Sequence, residues 1–184
     1  MRFRIPLEFS VGILAALTLL LTLAPLNLPI YGIFVFWGAT FLLGSPNLEG
    51  VKKMVPPAIL GTIFGVVLLL LFQYIDPIAG TSVPLATLIN IIMLFVIVTL
   101  LVYCARIPMF ATIAAAFCSF AVFVATATGA VFNGPAPHNL FNFWWAATLM
   151  CCAGPFFAWA SVALTNPTTA PASEKAIETE ASKS

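Results

Sequence analysis

Charged residues are scarce in this chain. Asp, Glu, Lys and Arg together make 7% of its 184 residues, and five of these thirteen charges lie beyond residue 165. The eight that remain cannot cover the surface of a soluble domain. A net charge of +1 without a basic stripe excludes a nucleic-acid binder, and an apolar fraction of 62% excludes a disordered chain. The composition predicts an integral membrane protein.

Motifs for metals, nucleotides and covalent catalysis are missing as well. The cysteines Cys104, Cys118, Cys151 and Cys152 lack the CxxC spacing of metal sites, so we expect buried apolar side chains and no metal. The single histidine, His138, has no acidic or second histidine neighbour in its loop. No P-loop, dinucleotide fingerprint or nucleophile motif is present. We therefore expect no enzyme activity and no cofactor.

Long apolar runs lie between clusters of Gly, Pro and Asn. Because the backbone must satisfy its own hydrogen bonds in lipid, we predict that each run is a transmembrane helix. The six predicted spans are Leu7–Leu26, Ile30–Leu43, Pro57–Ile75, Leu85–Cys104, Ile107–Ala127 and Phe143–Thr165. The predicted fold is an all-α, six-helix domain over residues 1–165 with short second and fifth helices. Residues 166–184 are predicted to form a flexible cytoplasmic tail.

The basic residues indicate the orientation of the spans. With the amino terminus inside, every Lys and Arg falls on the cytoplasmic side, where such residues collect. They are Arg2, Arg4, Lys52, Lys53, Arg106, Lys175 and Lys183. Both termini are then cytoplasmic, and we expect a multi-pass protein of the bacterial inner membrane. A signal peptide over Met1–Ala24 is the alternative, against which Glu8 and Pro25 argue.

The two halves of the chain share a weak internal similarity. Leu28-Pro29-Ile30-Tyr31 resembles Ile107-Pro108-Met109-Phe110, and Thr40-Phe41 then aligns with Ser119-Phe120. Three spans in each half, 7–75 and 85–165, would make an inverted repeat like those of channels and secondary transporters. Chance recurrence in so biased a sequence is the alternative, and both interpretations stay open.

A repeat of this kind predicts a solute site where the two short spans meet near the middle of the membrane. The predicted lining residues are Tyr31, Phe36, Trp37, Thr40, Asn90, Phe110, Phe117, Ser119 and Phe120. Each aromatic ring can instead pack in the core or face lipid. The carboxamides of Gln73 and Asn90 are candidates for interhelical hydrogen bonds or for a pore lining. Glu8 and Asp76 lie at span boundaries, so a proton relay within the membrane is disfavoured.

Small residues recur at a spacing of four, which is typical of close helix contacts. The predicted packing positions are Gly61 and Gly65 on the third span, Ala111 and Ala115 on the fifth, and Gly154 and Ala158 on the sixth. These seams lie either within the bundle or between protomers, and the sequence leaves both possibilities open.

Two family resemblances follow from short motifs. Phe36-x-Gly38-x-Thr40, followed by Pro46 and Leu48-x-Gly50, resembles the small bacterial inner-membrane proteins catalogued as domain of unknown function 1097. That resemblance implies five or six helices and no established activity. Gly61-Thr62-x-x-Gly65 is more distantly similar to the membrane unit of the fusaric acid resistance and aromatic acid exporter families. Here Ala58 replaces their basic residue, which argues against an anionic aromatic substrate.

The predicted function is a channel or permease for a small neutral or weakly polar solute. It rests on the pseudo-symmetry, the short central spans and an interior with hydroxyls and amides but no charge. We expect a homo-oligomer in contact with membrane lipids and no nucleic acid. The alternative is a non-transporting membrane subunit that packs against a partner through Gly61 and Gly65. An intramembrane enzyme that brings His138 to a cysteine is a more distant third.

Overall fold

The computed structural model describes residues 6–22, 27–75, 83–129 and 139–165. It contains six α-helices: α1 (Leu7–Thr18), α2 (Tyr31–Leu42), α3 (Leu48–Ile75), α4 (Val83–Cys104), α5 (Ile113–Thr128) and α6 (Leu140–Ala163). A short 3-10 helix, Leu19–Thr22, continues α1, and another, Pro108–Phe110, precedes α5. No β-strand occurs within those four ranges, so the predicted all-α class is confirmed.

Three of the described helices are long and apolar enough to cross a membrane. They cover Leu48–Tyr74, Thr87–Cys104 and Leu140–Ala163. The second and fifth helices are shorter, as predicted. The described part of the first, Leu7–Thr22, is shorter than the three long helices as well, and the predicted end at Leu26 lies outside the described residues.

The third helix begins at Leu48, well before the predicted Pro57, so that predicted boundary is wrong. The side-chain oxygen of Asn47 accepts a hydrogen bond from the Gly50 N–H at 2.8 Å and starts the helix upstream of its prolines. Those prolines remove two helical N–H donors, including the one that would reach the carbonyl of Lys53. Lys53 is exposed near the helix end, where water can satisfy backbone groups.

Two further boundaries differ from prediction. The fifth α-helix begins at Ile113, because the segment that opens the predicted span forms the 3-10 helix around Pro108. The sixth begins at Leu140, one turn before the predicted Phe143. Asn139 caps α6, since its side-chain oxygen accepts from the N–H of residue 142 at 2.9 Å.

Four helices form the core of the bundle: α3 lies along α5, α2 lies along α6, and α3 also packs against α6. A Cβ at Gly61 would overlap the carbonyl oxygen of Ala116, and one at Gly65 would overlap the ring of Phe123. The later residue of α3 contacts the later residue of α5, so α3 and α5 run parallel. Close approach of this kind is what small residues permit between membrane helices.

The pair α2 and α6 is arranged in the same way. A Cβ at Gly32 would meet the Met150 side chain at 3.1 Å, and one at Gly154 would overlap Cβ of Phe36. These contacts also advance together, so α2 and α6 run parallel. A hydrogen bond of 2.9 Å from the Thr148 hydroxyl to the Thr62 hydroxyl joins the two pairs.

Helices α1 and α4 lie outside this core, α1 mainly against α6 and α4 mainly against α3. The buried hydroxyl of Ser10 donates to the Ser161 carbonyl at 2.8 Å and ties α1 to α6. On the other side, Ile97 and Leu101 of α4 pack in one cluster with Leu68 of α3. Each half of the chain therefore places its first and second helices on the third helix of the other half.

A compact turn joins α2 to α3. The N–H of Gly44 donates to the Phe41 carbonyl at 2.9 Å, and the N–H of Ser45 donates to the Thr40 carbonyl at 3.3 Å. Gly44 has a φ of +63°, so the turn is a Schellman motif that needs glycine at this position. A Cβ at Gly50 would overlap the Ser45 carbonyl, which shows how closely the turn lies on α3.

Candidate functional site

Most of the predicted lining residues lie in the packed interior. Phe36 and Thr40 of α2 are fully buried, and Trp37 is 4% exposed. Ser119 and Phe120 of α5 are buried as well. Phe36 belongs to a cluster with residues of α3, α5 and α6, whereas Phe120 packs on the other side with residues of α3 and α4. Within the described ranges these residues do not surround a common opening.

The buried hydroxyls among them serve their own helices. Thr40 donates to the carbonyl of Phe36 at 2.7 Å, and Ser119 donates to the carbonyl of Ala116 at 3.0 Å. Hydroxyls on membrane helices commonly make this local bond. The indole N–H of Trp37 differs, because it is buried and has no acceptor among the described residues. A buried donor without an acceptor costs about 1–3 kcal/mol.

Three predicted lining residues lie outside the core. Phe110 is part of the 3-10 helix before α5, and Phe117 is 41% exposed on α5. Asn90 is on the flanking helix α4. The nine predicted residues are thus distributed over several parts of the bundle.

Tyr31, the remaining lining residue, joins the two short helices. Its hydroxyl donates to the Val122 carbonyl at 2.9 Å and makes a short hydrogen bond with the Thr126 hydroxyl. This contact connects the beginning of α2 to the end of α5. Sequence reasoning missed Thr126, because nothing in its neighbourhood distinguishes it from the other threonines of the spans.

A cleft of about 580 Å³ opens at the same end of the bundle. It lies between the last turns of α3 and α5 and the first turn of α6. We call it the α3–α5–α6 cleft, and its lining residues are Leu69, Phe72, Gln73, Ala127, Thr128, Asn139, Leu140, Phe141 and Phe143. Tyr31 lies near it, because the Tyr31 hydroxyl contacts Thr126, the residue that precedes the lining residue Ala127. Ligand pockets commonly have volumes of roughly 300–1,000 Å³.

Three polar side chains face this cleft. The Thr128 hydroxyl donates to the Val124 carbonyl at 2.8 Å and keeps its capacity to accept. The side-chain oxygen of Asn139 caps α6, which leaves its NH₂ group as a donor. The exposed carboxamide of Gln73 hydrogen bonds no residue of the described ranges. The described lining therefore offers donors and acceptors without a charge.

Sequence reasoning found this site only in part. Gln73 was predicted as a polar candidate, but the lining residues proposed around Tyr31 and Phe110 are not in the cleft. Asn139 carries a usable signal, because an asparagine directly before an apolar helical run is a preferred N-cap residue. His138 and Asp76 lie outside the described residues, as does the predicted tail.

The small-residue positions lie mostly inside the bundle. Gly61 and Gly65 face α5, and Gly154 faces α2. Ala115 and Ala158 are fully buried. Ala111, by contrast, is exposed at the start of the α5 segment.

All four cysteines are free thiols in the structure. Cys151 is buried, and Cys104, Cys118 and Cys152 are partly buried. Their placement is that of small apolar side chains within the bundle.

The chain matches the family model described as "Protein of unknown function (DUF1097)" over residues 9–166. The chain belongs to this family. The match confirms the resemblance predicted from the motifs around Phe36 and Thr40, and in this DUF1097 member it includes nearly all of the six helices. The similarity to the fusaric acid resistance and aromatic acid exporter families stays a prediction. No curated protein and no solved structure matches the chain.

Proposed function

We propose that the protein is a membrane permease for a small neutral or weakly polar solute, which binds in the α3–α5–α6 cleft. The observation that carries the proposal is the cleft itself, an opening of about 580 Å³ at one end of an apolar bundle. Its described lining combines aromatic rings with uncharged donors and acceptors. Small-molecule sites commonly have this composition, mostly apolar with a few polar groups, and the described polar groups here are uncharged.

The proposed topology has six spans with both termini in the cytoplasm of a bacterial cell. Because α3 and α5 run parallel, Lys52 near the start of α3 and Arg106 before α5 lie at the same end of the bundle. Basic residues collect on the cytoplasmic side. The cleft lies at the opposite end and therefore opens away from the cytoplasm.

Thiol labelling tests this orientation. In a chain whose native cysteines are replaced by alanine, we expect a membrane-impermeant maleimide to label Thr128→Cys in intact cells. Ser45→Cys, in the turn between α2 and α3, should react only after the cells are opened. The reverse pattern would overturn the topology.

An inverted repeat is part of the proposal. It is supported by the exchange of contacts between the halves, in which α2 packs on α6 and α5 packs on α3. A Cβ at Gly154 would press against Phe36 and against the backbone nitrogen of Trp37, and one at Gly61 would press against Ala116. The alignment that pairs Pro29 with Pro108 also pairs Trp37 with Ala116. Inverted repeats commonly carry solutes by moving one half against the other.

The packed interior favours a permease over an open channel. The buried side chains of Phe36, Trp37 and Phe120 leave no lined passage among the described residues. Transport then requires helices to move, and the buried N–H of Trp37 would gain an acceptor if such a movement brought solute or water to it.

Solute flux into proteoliposomes tests the permease. We expect uptake of small neutral solutes such as glycerol, urea or benzamide above that of empty vesicles, and we expect Thr128→Trp to reduce it severalfold by filling the cleft. Thr99→Trp is the matched control, because Thr99 is also exposed and its hydroxyl also donates to its own helix, at 2.7 Å, but it lies on α4. Uptake equal to that of empty vesicles for the whole panel would overturn the proposal.

The rival role, a non-transporting subunit that binds a partner through Gly61 and Gly65, loses its predicted surface, because α5 occupies both glycines. A partner would have to use an exposed helix such as α4 instead. Stoichiometric copurification of another protein in mild detergent would favour that role. A homo-oligomer, contact with membrane lipids, and the absence of enzyme activity and cofactors stay predictions.

A further inference from the structure

We infer that the α3–α5–α6 cleft binds a neutral amphipathic molecule with a flat apolar body and a carboxamide-like head group held by Gln73. The site is the one used in the proposed function, and the inference rests on that function only for the claim that the bound molecule is also transported.

The apolar side of the cleft favours a flat body. Phe72, Phe141 and Phe143 all line it. The ring of Trp144 extends this group, because it packs against Phe141 with centroids 6.0 Å apart and planes inclined by 41°. Aromatic rings prefer such tilted or offset contacts with other flat groups. These contacts add to the free energy gained from burying apolar surface.

The polar side favours a head group that both donates and accepts. The Thr128 hydroxyl already donates its proton to the Val124 carbonyl, and the side-chain oxygen of Asn139 already accepts the hydrogen bond that caps α6. Of the three side chains, only that of Gln73 can still use all its hydrogen-bonding groups, two N–H donors and a carbonyl acceptor, to bind a ligand. A ligand carboxamide can pair with it through two hydrogen bonds, which an alcohol or ether can match only in part.

The described lining favours a neutral head group. None of the nine described lining residues is ionisable. A carboxylate or an ammonium that enters the cleft loses hydration and gains no opposite charge from these residues. A neutral head group loses less hydration free energy, and Gln73 replaces the hydrogen bonds that it made to water.

Three probes of the same shape test the inference: benzamide, benzoate and benzylammonium. Their binding to the full chain in nanodiscs is measured by saturation-transfer NMR, with empty nanodiscs as the blank. We expect benzamide to bind at least about tenfold more tightly than either ion. A tenfold change in affinity corresponds to about 1.4 kcal/mol, which is close to the contribution of one hydrogen bond. Equal affinities for the three probes, or tighter binding of an ion, would overturn the inference.

Substitutions at Gln73 locate the head group. Gln73→Leu should weaken benzamide binding about tenfold, and Gln73→Glu should reverse the preference towards benzylammonium. Tyr74→Phe is the control, because Tyr74 is exposed next to Gln73 but does not line the cleft. Unchanged thermal midpoints are expected for all three variants, since both residues are exposed. A Gln73→Leu chain that is folded and binds benzamide as tightly as the wild type would overturn the inference.

The two proposals fail differently. Selective benzamide binding that depends on Gln73, without solute flux in proteoliposomes, overturns the permease and supports the binding site. Flux that Thr128→Trp reduces, without discrimination among the three probes, supports the permease and overturns the inferred ligand class.

Discussion

The four core helices and the two flanking helices are similarly apolar but differ in what covers them. In the most apolar windows of α3 and α6, 39% and 44% of residues are buried inside the protein, against 11% in α4. Phe95 of α4 is 70% exposed, whereas Phe123 of α5 is fully buried. Large exposed apolar faces are rare in soluble monomers, and lipid can cover them in a membrane. Hydropathy therefore does not distinguish the core from the flanks.

Small residues do distinguish them. Gly32, Gly61, Gly65 and Gly154 all lie where a Cβ would press against a neighbouring helix. The helix α4 contains no glycine at all, and Gly12 of α1 has open space around it. Helix association in lipid depends on close packing because lipid tails are as apolar as leucine. The positions of glycine thus report the core better than the apolar residues do.

The largest effect expected from this comparison concerns two phenylalanines. Phe123→Ala removes a fully buried ring from the core and should lower the free energy of unfolding by about 2–3 kcal/mol, because it leaves a cavity that the neighbouring side chains fill only in part. Phe95→Ala on α4 should change this free energy by less than about 0.5 kcal/mol, because the Phe95 ring contacts lipid or detergent both before and after unfolding. Unfolding in mixed micelles with increasing SDS measures both. Equal losses for the two variants would show that α4 belongs to the core.

A smaller effect is expected at the glycines. Gly61→Ala pushes a methyl group into the Ala116 carbonyl and should cost about 1–3 kcal/mol. Gly38→Ala is the matched control, because a Cβ there meets nothing within 4 Å and should stabilise its helix by up to about 1 kcal/mol. The same unfolding measurement applies. A Gly61→Ala chain as stable as Gly38→Ala would contradict the close contact between α3 and α5.

The smallest effect concerns the attachment of α1. Ser10→Ala removes the hydrogen bond to the Ser161 carbonyl and should cost about 0.5–1 kcal/mol. We expect faster amide hydrogen exchange in α1 with unchanged protection of α3, because the lost bond joins only α1 and α6. Thr99→Val on α4, which removes only a local exposed bond, is the control. A loss above about 2 kcal/mol would place α1 in the cooperative core.

Sequence reasoning located the helices better than their ends. Apolar runs between Gly, Pro and Asn predicted the middle of every helix, since each described helix overlaps its predicted span. It placed the start of α3 at Pro57, because proline usually breaks a helix. The Asn47 cap begins that helix upstream and tolerates the prolines inside it. An N-cap favours the start of a helix and a proline inside it favours an interruption. The sequence alone does not show which effect is larger.

The candidate site was harder to predict. Gln73 was identified as a polar residue in an apolar span, a signal that the sequence carries by itself. The neighbours that make it part of a cleft, Thr128 and Asn139, come from other helices. The partnership of Tyr31 with Thr126 joins residues far apart in the chain. Such pairings depend on how the helices lie against one another, which a pattern along one span does not encode.

The sequence by itself determined the class of this protein, its apolar helices and three of the four helical glycines at which those helices approach closely. Each of these follows from local composition, because a backbone in lipid must form helices and a close contact needs a missing side chain. The tertiary structure alone decided which helices form the core, and it placed an uncharged cleft at one end of the bundle. Both depend on side chains that meet only after the helices have packed.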